Sequence, residues 1–385
     1  MTSLNRLSPT GHSFGRPPLS AAENSIALHS FTGSQTFQPV PPATGAYPYR
    51  LDLASVIGAD AVSAIVNAGS MTFHVMGDTG GVAQPAPQQI VAQKLDADVP
   101  SPAFLYLLGD CIYYNGELSQ YPQQFYEPYA HYLAPIFAVP GNHDGDPLPG
   151  ASSLDGFVAN FCTTSPQVPS GAQSTGRTTM TQPNAYWTLT APFVTFIGLY
   201  TNVPQGGQLD DTQVTWLQSE LAAAAADSAV ILTMHHPPVS SDSFHGGSAY
   251  MFDLIDAARA QSGRTPDLVL AGHVHNYQRF TRALAQDGGA RPLPYIVAGS
   301  GGYWHLHTMA TDAKGAALPW TLPGHDDVQL DAWADDRHGF LRMTATPTQL
   351  SATFCTVPRP QEPWGDPVAV ADSFTLDRTT HSIGP

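Results

Sequence analysis

Apolar runs of strand length recur along the chain, and most of them stop at a glycine followed by a polar side chain. The run at 135–139 ends in Pro140-Gly141-Asn142-His143-Asp144, a Pro-Gly turn carrying an amide, an imidazole and a carboxylate. The runs at 71–76 and 104–108 end in Gly77-Asp78-Thr79-Gly80 and Gly109-Asp110, and those at 230–234 and 268–271 lead into His235 and Gly272-His273-Val274-His275. Stretches with helical periodicity lie between them. Leu53, Ile57, Ala61 and Ile65 recur at helical spacing with Val56 and Val62 beside them, so 52–67 reads as one amphipathic helix packed on the domain. Residues 88–97 and 118–133 read as helices, and Asp210 and Asp211 cap another that runs through Ala226. Strands alternating with helices imply parallel strands joined by crossovers, an α/β fold.

The remaining segments differ in kind. Pro39, Pro41, Pro42 and Gly45 block regular structure at the start of the chain. Residues 187–189 and 193–200 read as a β pair, 295–298 as a further strand into Gly299-Ser300-Gly301-Gly302, and 340–346 with 350–356 as a closing hairpin. The Ser-, Thr-, Gly- and Pro-rich stretch 151–184 is expected as a long loop over the site face, 308–337 as loop, and the chain after Pro358 as coil. The expected division is an irregular arm at 1–45, one domain at 46–357 and a tail at 358–385, without internal repeats.

Composition narrows the partners. At 385 residues the chain can bury a full core, and it holds no run of about 18 apolar residues that could cross a membrane as a helix. Residues 1–30 show no basic patch followed by an apolar stretch, so no secretory leader is expected. The default compartment is the cytoplasm, with the periplasm or secretion left open if a leader lies outside this numbering. A net charge of −16 repels polyanions, which sets aside nucleic acid and acidic membranes. Cys111, Cys162 and Cys355 lack metal-ligand spacing; they are buried thiols, or Cys162 and Cys355 form a bridge beside one free thiol.

Open α/β sheets bind ligands outside the carboxyl ends of their strands, so the strand-end groups are the candidate site: Asp78, Asp110, Tyr113, Asn142, His143, His235, His273 and His275. Singly, Asp and Asn are ordinary turn and cap residues. A succession of such strand ends in one chain is a stronger signal. Carboxylate, imidazole, amide and phenolate donors suit Fe, Mn or Zn and not Cu(I). His273 and His275, two apart, share a face of an extended segment and can serve adjacent ions. Two ions about 3.5 to 4 Å apart form a clamp for in-line displacement at phosphorus. His236, before Pro237-Pro238, reads as support or as structure, and His74 as a core or edge histidine. Gly299-Ser300-Gly301-Gly302 reads as a tight turn, and Tyr303, Trp304, His305 and His307 either wall the pocket or cover the sheet.

Gly77-Asp78-Thr79-Gly80, Gly109-Asp110-Cys111-Ile112-Tyr113, Gly141-Asn142-His143-Asp144, Leu232-Thr233-Met234-His235 and Gly272-His273-Val274-His275 together resemble the ordered blocks of the metallophosphoesterases, the calcineurin-like superfamily. Within that superfamily they look like the purple acid phosphatases. Most metallophosphoesterases carry Asp-x-His in the first block. Here Gly80 stands two after Asp78, and a tyrosine three after Asp110 is what the purple acid phosphatases use instead. Tyr114 adjoins it, so family spacing alone selects Tyr113.

The resemblance implies a four-layer α/β/β/α sandwich. It also implies Fe(III) at Asp78, Asp110, Tyr113 and His275, and Fe(II), Zn or Mn at Asn142, His235 and His273, with Asp110 bridging. His143 would bind phosphate and help protonate the leaving oxygen, Asp144 is a further catalytic candidate in the same block, and His245 is a second substrate-side histidine or a solvated loop residue. The implied activity is that of an acid phosphatase: hydroxide attacks a small phosphomonoester in line and inorganic phosphate is the product. The alternatives are a phosphodiesterase of the same fold with two divalent ions, and a non-catalytic metal- or phosphate-binding protein. Only about 70 residues precede the first block, too few for the amino-terminal sandwich of the plant enzymes.

Overall fold

In the computed structural model, which describes residues 38–147, 150–201, 207–286 and 289–384 and a short pairing of Arg6–Leu7 with Ser13–Phe14, the apolar runs become strands of two large mixed sheets. In chain order the strands are β1 (Arg50–Asp52), β2 (Met71–Met76), β3 (Leu105–Leu107), β4 (Ile136–Ala138), β5 (Trp187–Ala191), β6 (Val194–Gly198), β7 (Ala229–Met234) and β8 (Leu268–Ala271). They continue as β9 (Tyr277–Gln286), β10 (Gly289–Ala298), β11 (Trp320–Thr321), β12 (Val328–Ala334), β13 (Gly339–Ala345), β14 (Gln349–Thr356), β15 (Ala369–Asp377) and β16 (Ser382–Gly384). Sheet one has the order β11-β12-β9-β10-β8-β7-β6-β5-β1, and sheet two the order β16-β15-β14-β13-β2-β3-β4. The strands that precede the polar motifs are parallel neighbours, β2, β3 and β4 in sheet two and β7 and β8 in sheet one.

The period-2 alternation of strand side chains explains the layering. Met71, Phe73 and Val75 of β2 and Ala229 and Ile231 of β7 enter one core between the sheets, while Met76, Val230, Leu232 and Met234 join a second core on the outer faces. Burial on both faces is why these strands are continuous apolar runs. Phe196 of β6 meets Phe73, Phe104 and Tyr106 across the interface at ring distances of 5.2, 5.5 and 5.3 Å. Tyr277 of β9 stacks on Phe354 of β14 at 4.0 Å. Outside sheet two lies the helix Ala86–Asp96, and outside sheet one the paired helices Asp211–Ala223 and Ala249–Ser262, giving the α/β/β/α order.

Several local expectations change. Residues 52–67 are not one helix: Arg50–Asp52 pairs as β1, and Gly58, at φ 91°, separates Ala54–Ile57 from Ala59–Ala68. Residues 118–133 are not α-helical. Leu118–Gln120 forms a 3₁₀ turn and Pro122–Tyr126 a wider π turn, and Pro128 lacks the N–H needed to continue. The buried rings of Tyr121, Phe125, Tyr126, Tyr129 and Tyr132 set the path instead. Stretch 151–184 contains the helix Asp155–Phe161 and is bonded along the β4 edge, where Gln182 takes both backbone groups of Ala138 and Arg177 donates to the carbonyls of Tyr129, Tyr132 and Ala134.

Stretch 308–337 supplies β11 and β12. The coil expected after Pro358 supplies β15 and β16, which extend sheet two beyond β14. Only Phe374 and Leu376 of β15 are buried, so backbone pairing makes this strand and hydrophobic periodicity does not announce it. Cys111, Cys162 and Cys355 are all buried and free, so Cys162 and Cys355 do not pair. Of the arm expected at 1–45, residues 38–45 form no helix or strand, and most of the rest, with the question of a leader, lies outside the described residues. Among the described residues no helix is long and apolar enough to cross a membrane.

Candidate metal centre

The carboxyl ends of β2, β3 and β4 meet those of β7 and β8, and the expected ligands converge there in two constellations. In the first, Asp78 Oδ1, the Tyr113 hydroxyl and His275 Nε2 stand 3.3–3.4 Å from one another. In the second, Asn142 Oδ1 lies 2.9 Å from His235 Nε2 and 3.0 Å from His273 Nδ1, with the two nitrogens 3.3 Å apart. Asp110 joins them: its Oδ2 is 3.4 Å from His235 Nε2, and ligand atoms of Asp78, Asp110 and His235 all fall within 4.8 Å of one another.

The backbone is bent to bring this about. Asp78, Asp110 and His273 adopt left-handed conformations, with φ of 59°, 50° and 68°, which side-chain-bearing residues adopt only when the surroundings over-determine them. Here the Asp78 N–H donates to the Gly109 carbonyl at 2.9 Å, the Thr79 N–H to the Asp110 carbonyl at 3.0 Å, and the His273 N–H to Asp78 Oδ2 at 2.8 Å. Gly141 permits the close approach, since a Cβ there would stand 2.1 Å from Asp110 Oδ1. Two imidazoles are oriented through their far nitrogen: His235 Nδ1 donates to the Leu108 carbonyl and His275 Nδ1 to the His305 carbonyl, each at 2.9 Å, which leaves Nε2 facing the centre.

Gly80 and Tyr113 form one unit. A Cβ at Gly80 would lie 2.8 Å from Tyr113 Cδ2 and 2.6 Å from Gln124 Oε1, so the phenol ring fills the room beside the glycine. Gln124 clamps the Tyr113 peptide, accepting its N–H at 2.9 Å and donating to its carbonyl at 2.6 Å. Tyr303 stacks on the Tyr113 ring at 4.1 Å. Tyr114 instead offers its carbonyl to His143 Nδ1 at 2.8 Å, so Tyr113 is the phenol that faces Asp78 and His275.

Residues 71–277 match the calcineurin-like phosphoesterase family. The chain belongs to that family. It is 26% identical over 182 residues, 46% of its own length and 39% of the relative's, to probable purple acid phosphatase 20 of Arabidopsis thaliana. It is 39% identical over 72 residues, 18% of its length and 23% of the relative's, to a probable cyclic nucleotide phosphodiesterase of Rhodococcus erythropolis. The chain thus spans well under half the length of these curated relatives. Its fold is similar to that of purple acid phosphatase PPD1 from yellow lupin (Lupinus luteus) seeds, with a TM-score of 0.57 at 19% identity over 80% of this chain and 54% of that one.

Around the candidate ligands of this calcineurin-like phosphoesterase the other residues divide. His143 is half-buried, donates its backbone N–H to Asp110 Oδ1 at 2.9 Å, and has its ring 4.6 Å from that of Tyr113. The His245 ring lies 4.5 Å from that of His273. Asp144 has its buried carboxylate turned into the backbone, accepting the N–H groups of Gly141, Cys111 and Ile112 at 2.8, 3.2 and 3.4 Å. His236 is buried against Thr201 with its ring 4.4 Å from that of His273. His74 lies buried between the Tyr132 hydroxyl and Asp98, a core histidine. Gly301 donates to the Gly77 carbonyl, which makes the Gly299–Gly302 segment a turn packed on the end of β2. His307 stacks on His275 at 4.2 Å and, with Tyr303, walls the site.

Two residues carried no sequence signal. Gln124 is one, and Asp242 is the other. Asp242 Oδ2 accepts the N–H groups of Phe244 and His245 at 3.0 and 2.9 Å, its Oδ1 accepts Asn276 Nδ2 at 3.2 Å, and His307 Nδ1 is 3.3 Å away. Its neighbours in Ser240-Ser241-Asp242-Ser243 are those of any turn.

The protein's own groups charge the site unevenly. Burial raises the Asp110 carboxyl, but His235 and His143 outweigh it and hold Asp110 below its ordinary range. Burial would lower His235, yet Asp110 raises it to about 9, and Asp78 raises His275 in the same way. Burial and the neighbouring imidazole of His236 push His273 down. Burial, then Asp110 and Asp78, push the Tyr113 phenol well up. Among the described residues, the ion-pair partners of Asp78 and Asp110 are His275 and His235, with no lysine or arginine. Buried carboxylates without a fixed cation, ringed by imidazoles, an amide and a phenol, fit bound metal ions of intermediate to hard character.

Proposed function

We propose that this calcineurin-like phosphoesterase hydrolyses phosphomonoesters at a dinuclear centre of the purple acid phosphatase kind. The observation that carries this reading is the Tyr113 hydroxyl, 3.4 Å from Asp78 Oδ1 and 3.3 Å from His275 Nε2, in the room left by Gly80. A phenol pressed upward in pKa by burial and by two carboxylates ionises only beside a strong cation, and phenolate with carboxylates favours a trivalent one. In this reading Asp78, Tyr113 and His275 hold Fe(III), Asn142, His235 and His273 hold Fe(II), Zn or Mn, and Asp110 is shared.

Bound there, two ions supply acidity to water near neutral pH and offset charge on the phosphoryl oxygens. The chain's own residues do the rest. Asp110 is fixed by the His143 N–H at Oδ1, which keeps Oδ2 toward His235. His143 is oriented by the bond from Nδ1 to the Tyr114 carbonyl, so its other nitrogen is left to bind a phosphate oxygen and to give a proton to the leaving oxygen. His245, beside His273 and tied through its backbone to Asp242, helps orient the same phosphoryl group. Inorganic phosphate is the product, and no side chain needs to form a phosphoenzyme.

A second reading, a phosphodiesterase with two divalent ions, is favoured by the 39% identity over 72 residues to the probable cyclic nucleotide phosphodiesterase. The visible spectrum of the purified protein, taken beside its elemental content, separates the two. A broad charge-transfer band with iron present, abolished by Tyr113→Phe, is expected. A colourless protein carrying two divalent ions, with a bis-aryl phosphate turned over in preference to an aryl phosphate, would sink the first reading in favour of the second.

A further inference from the structure

Phe244 is a large apolar side chain left 49% exposed beside the metal centre. A lone exposed ring elsewhere on a surface would call for no explanation. This one adjoins His245, and one of its sides packs on the site's wall: its ring is 4.9 Å from that of His307 at 34° and 6.0 Å from that of His305 at 76°. His307 in turn stacks on His275 at 4.2 Å. A ladder of rings therefore runs from the candidate ligand His275 through His307 to Phe244 at the rim.

The rim is rigid. The Phe244 N–H is bound to Asp242, whose side chain is fully buried and also bonded to Asn276, and the adjoining Ser243 N–H donates to the Thr308 carbonyl at 3.0 Å. Backbone bridges of Ser241 with Gly246 and of Asp242 with Met309 close the turn on both sides. An open aromatic face presented on so fixed a support is a stacking platform of the kind that takes planar rings with little regard to their identity.

We infer that Phe244 is a specificity residue, stacking on a planar aromatic ring in the alcohol portion of the ester, so that aryl or nucleoside phosphates are preferred to alkyl phosphates. The inference rests on the phosphoester hydrolase reading above. It concerns the leaving group and leaves the candidate ligand set unchanged.

The test compares the metal-loaded wild type with Phe244→Ala and Phe244→Trp on phenyl phosphate, a nucleoside 5′-monophosphate and glycerol phosphate. Calorimetric binding of phenylphosphonate and ethylphosphonate adds a readout that needs no turnover. Phe244→Ala is expected to lower kcat/KM for the ring-bearing esters by roughly tenfold, mostly through KM, and to leave glycerol phosphate within about twofold. Phenylphosphonate should weaken in parallel while ethylphosphonate does not, and Phe244→Trp should restore both. A loss confined to the aryl or to the nucleoside ester would support the stacking and name the source of the ring. Equal change on all three esters, or no change on any, would overturn the inference while the hydrolase reading stands. Absence of wild-type turnover on every ester would overturn both.

Discussion

After β2, β3 and β4 the chain presents carboxylates, a phenol and an amide, whereas after β7 and β8 it presents imidazoles. Among the candidate ligands, sheet two thus carries the oxygen groups and sheet one the nitrogen groups, and neither sheet holds a complete constellation. Asp78 and Tyr113 need His275 from across the interface, as Asn142 needs His235 and His273. Two things follow. Ligand geometry is set by how the sheets stack, through contacts such as those of Phe196 with Phe73, Phe104 and Tyr106, as much as by either motif. The halves also differ in charge: the first constellation has a carboxylate and a phenol of its own, while the second has an amide and two imidazoles and no carboxylate apart from Asp110, which lies beside both. That asymmetry is the physical ground for expecting the more highly charged ion in the first.

The largest effect should come from breaking the contact between the sheets. Phe196→Ala removes a fully buried ring and should cost about 3–5 kcal/mol in urea unfolding, with metal affinity falling alongside it. If metal affinity were untouched in a folded variant, the sheets would be placing their ligands independently. Asp110→Asn tests the shared carboxylate. Elemental analysis should show both ions depleted and kcat reduced by more than about 100-fold, the upper end for partners one shell further out.

Acid should reveal a cluster built on sheet two alone, around His74 within β2. Burial lowers His74, and although burial also raises Asp98, His74 and Arg342 hold it at about 2. Both folded values lie below the unfolded ones of about 6.5 and 3.9, so both contributions are complete at higher pH and are lost on acidification. His74 loses its share as the pH falls below about 6.5, and Asp98 loses about 2 kcal/mol between roughly pH 4 and 2. Urea midpoints measured against pH should show the lower step, and Asp98→Asn should flatten it. The smallest effect is at Gln124, which touches no ligand atom. Gln124→Ala should weaken the first ion about tenfold and the second much less, read by metal titration.

The candidate ligands could be read because most of them sit in a local event, an apolar run ending in a turn with a polar side chain, that needs no knowledge of the rest of the fold. What decided between Tyr113 and Tyr114 was not local. It depends on Gln124, eleven residues further on, and on the space beside Gly80. Asp144 shows the opposite limit, since a carboxylate next to His143 has the composition of a catalytic pair while nothing local reveals that its oxygens accept backbone N–H groups. The same limit hid β15, in which only Phe374 and Leu376 are buried and whose strand exists because β14 offers it an edge. Residues 118–133 misled in another way: their aromatic spacing suits a helix, but Pro122 and Pro128 and five packed rings impose 3₁₀ and π turns.

The shared space of Gly80 and Tyr113 also bears on how such a centre can change over time. Restoring the histidine that most metallophosphoesterases carry at the position of Gly80 would drive its Cβ to 2.8 Å from Tyr113 Cδ2 and 2.6 Å from Gln124 Oε1. Removing the phenol first would leave Asp78 and His275 without their third donor. The two positions are therefore coupled, and because Gln124 Oε1 and the Ile112 Cα, at 2.6 and 2.9 Å, would crowd that Cβ even without the phenol, a lineage moving between a phenol-bearing and an imidazole-bearing centre has to move those neighbours as well.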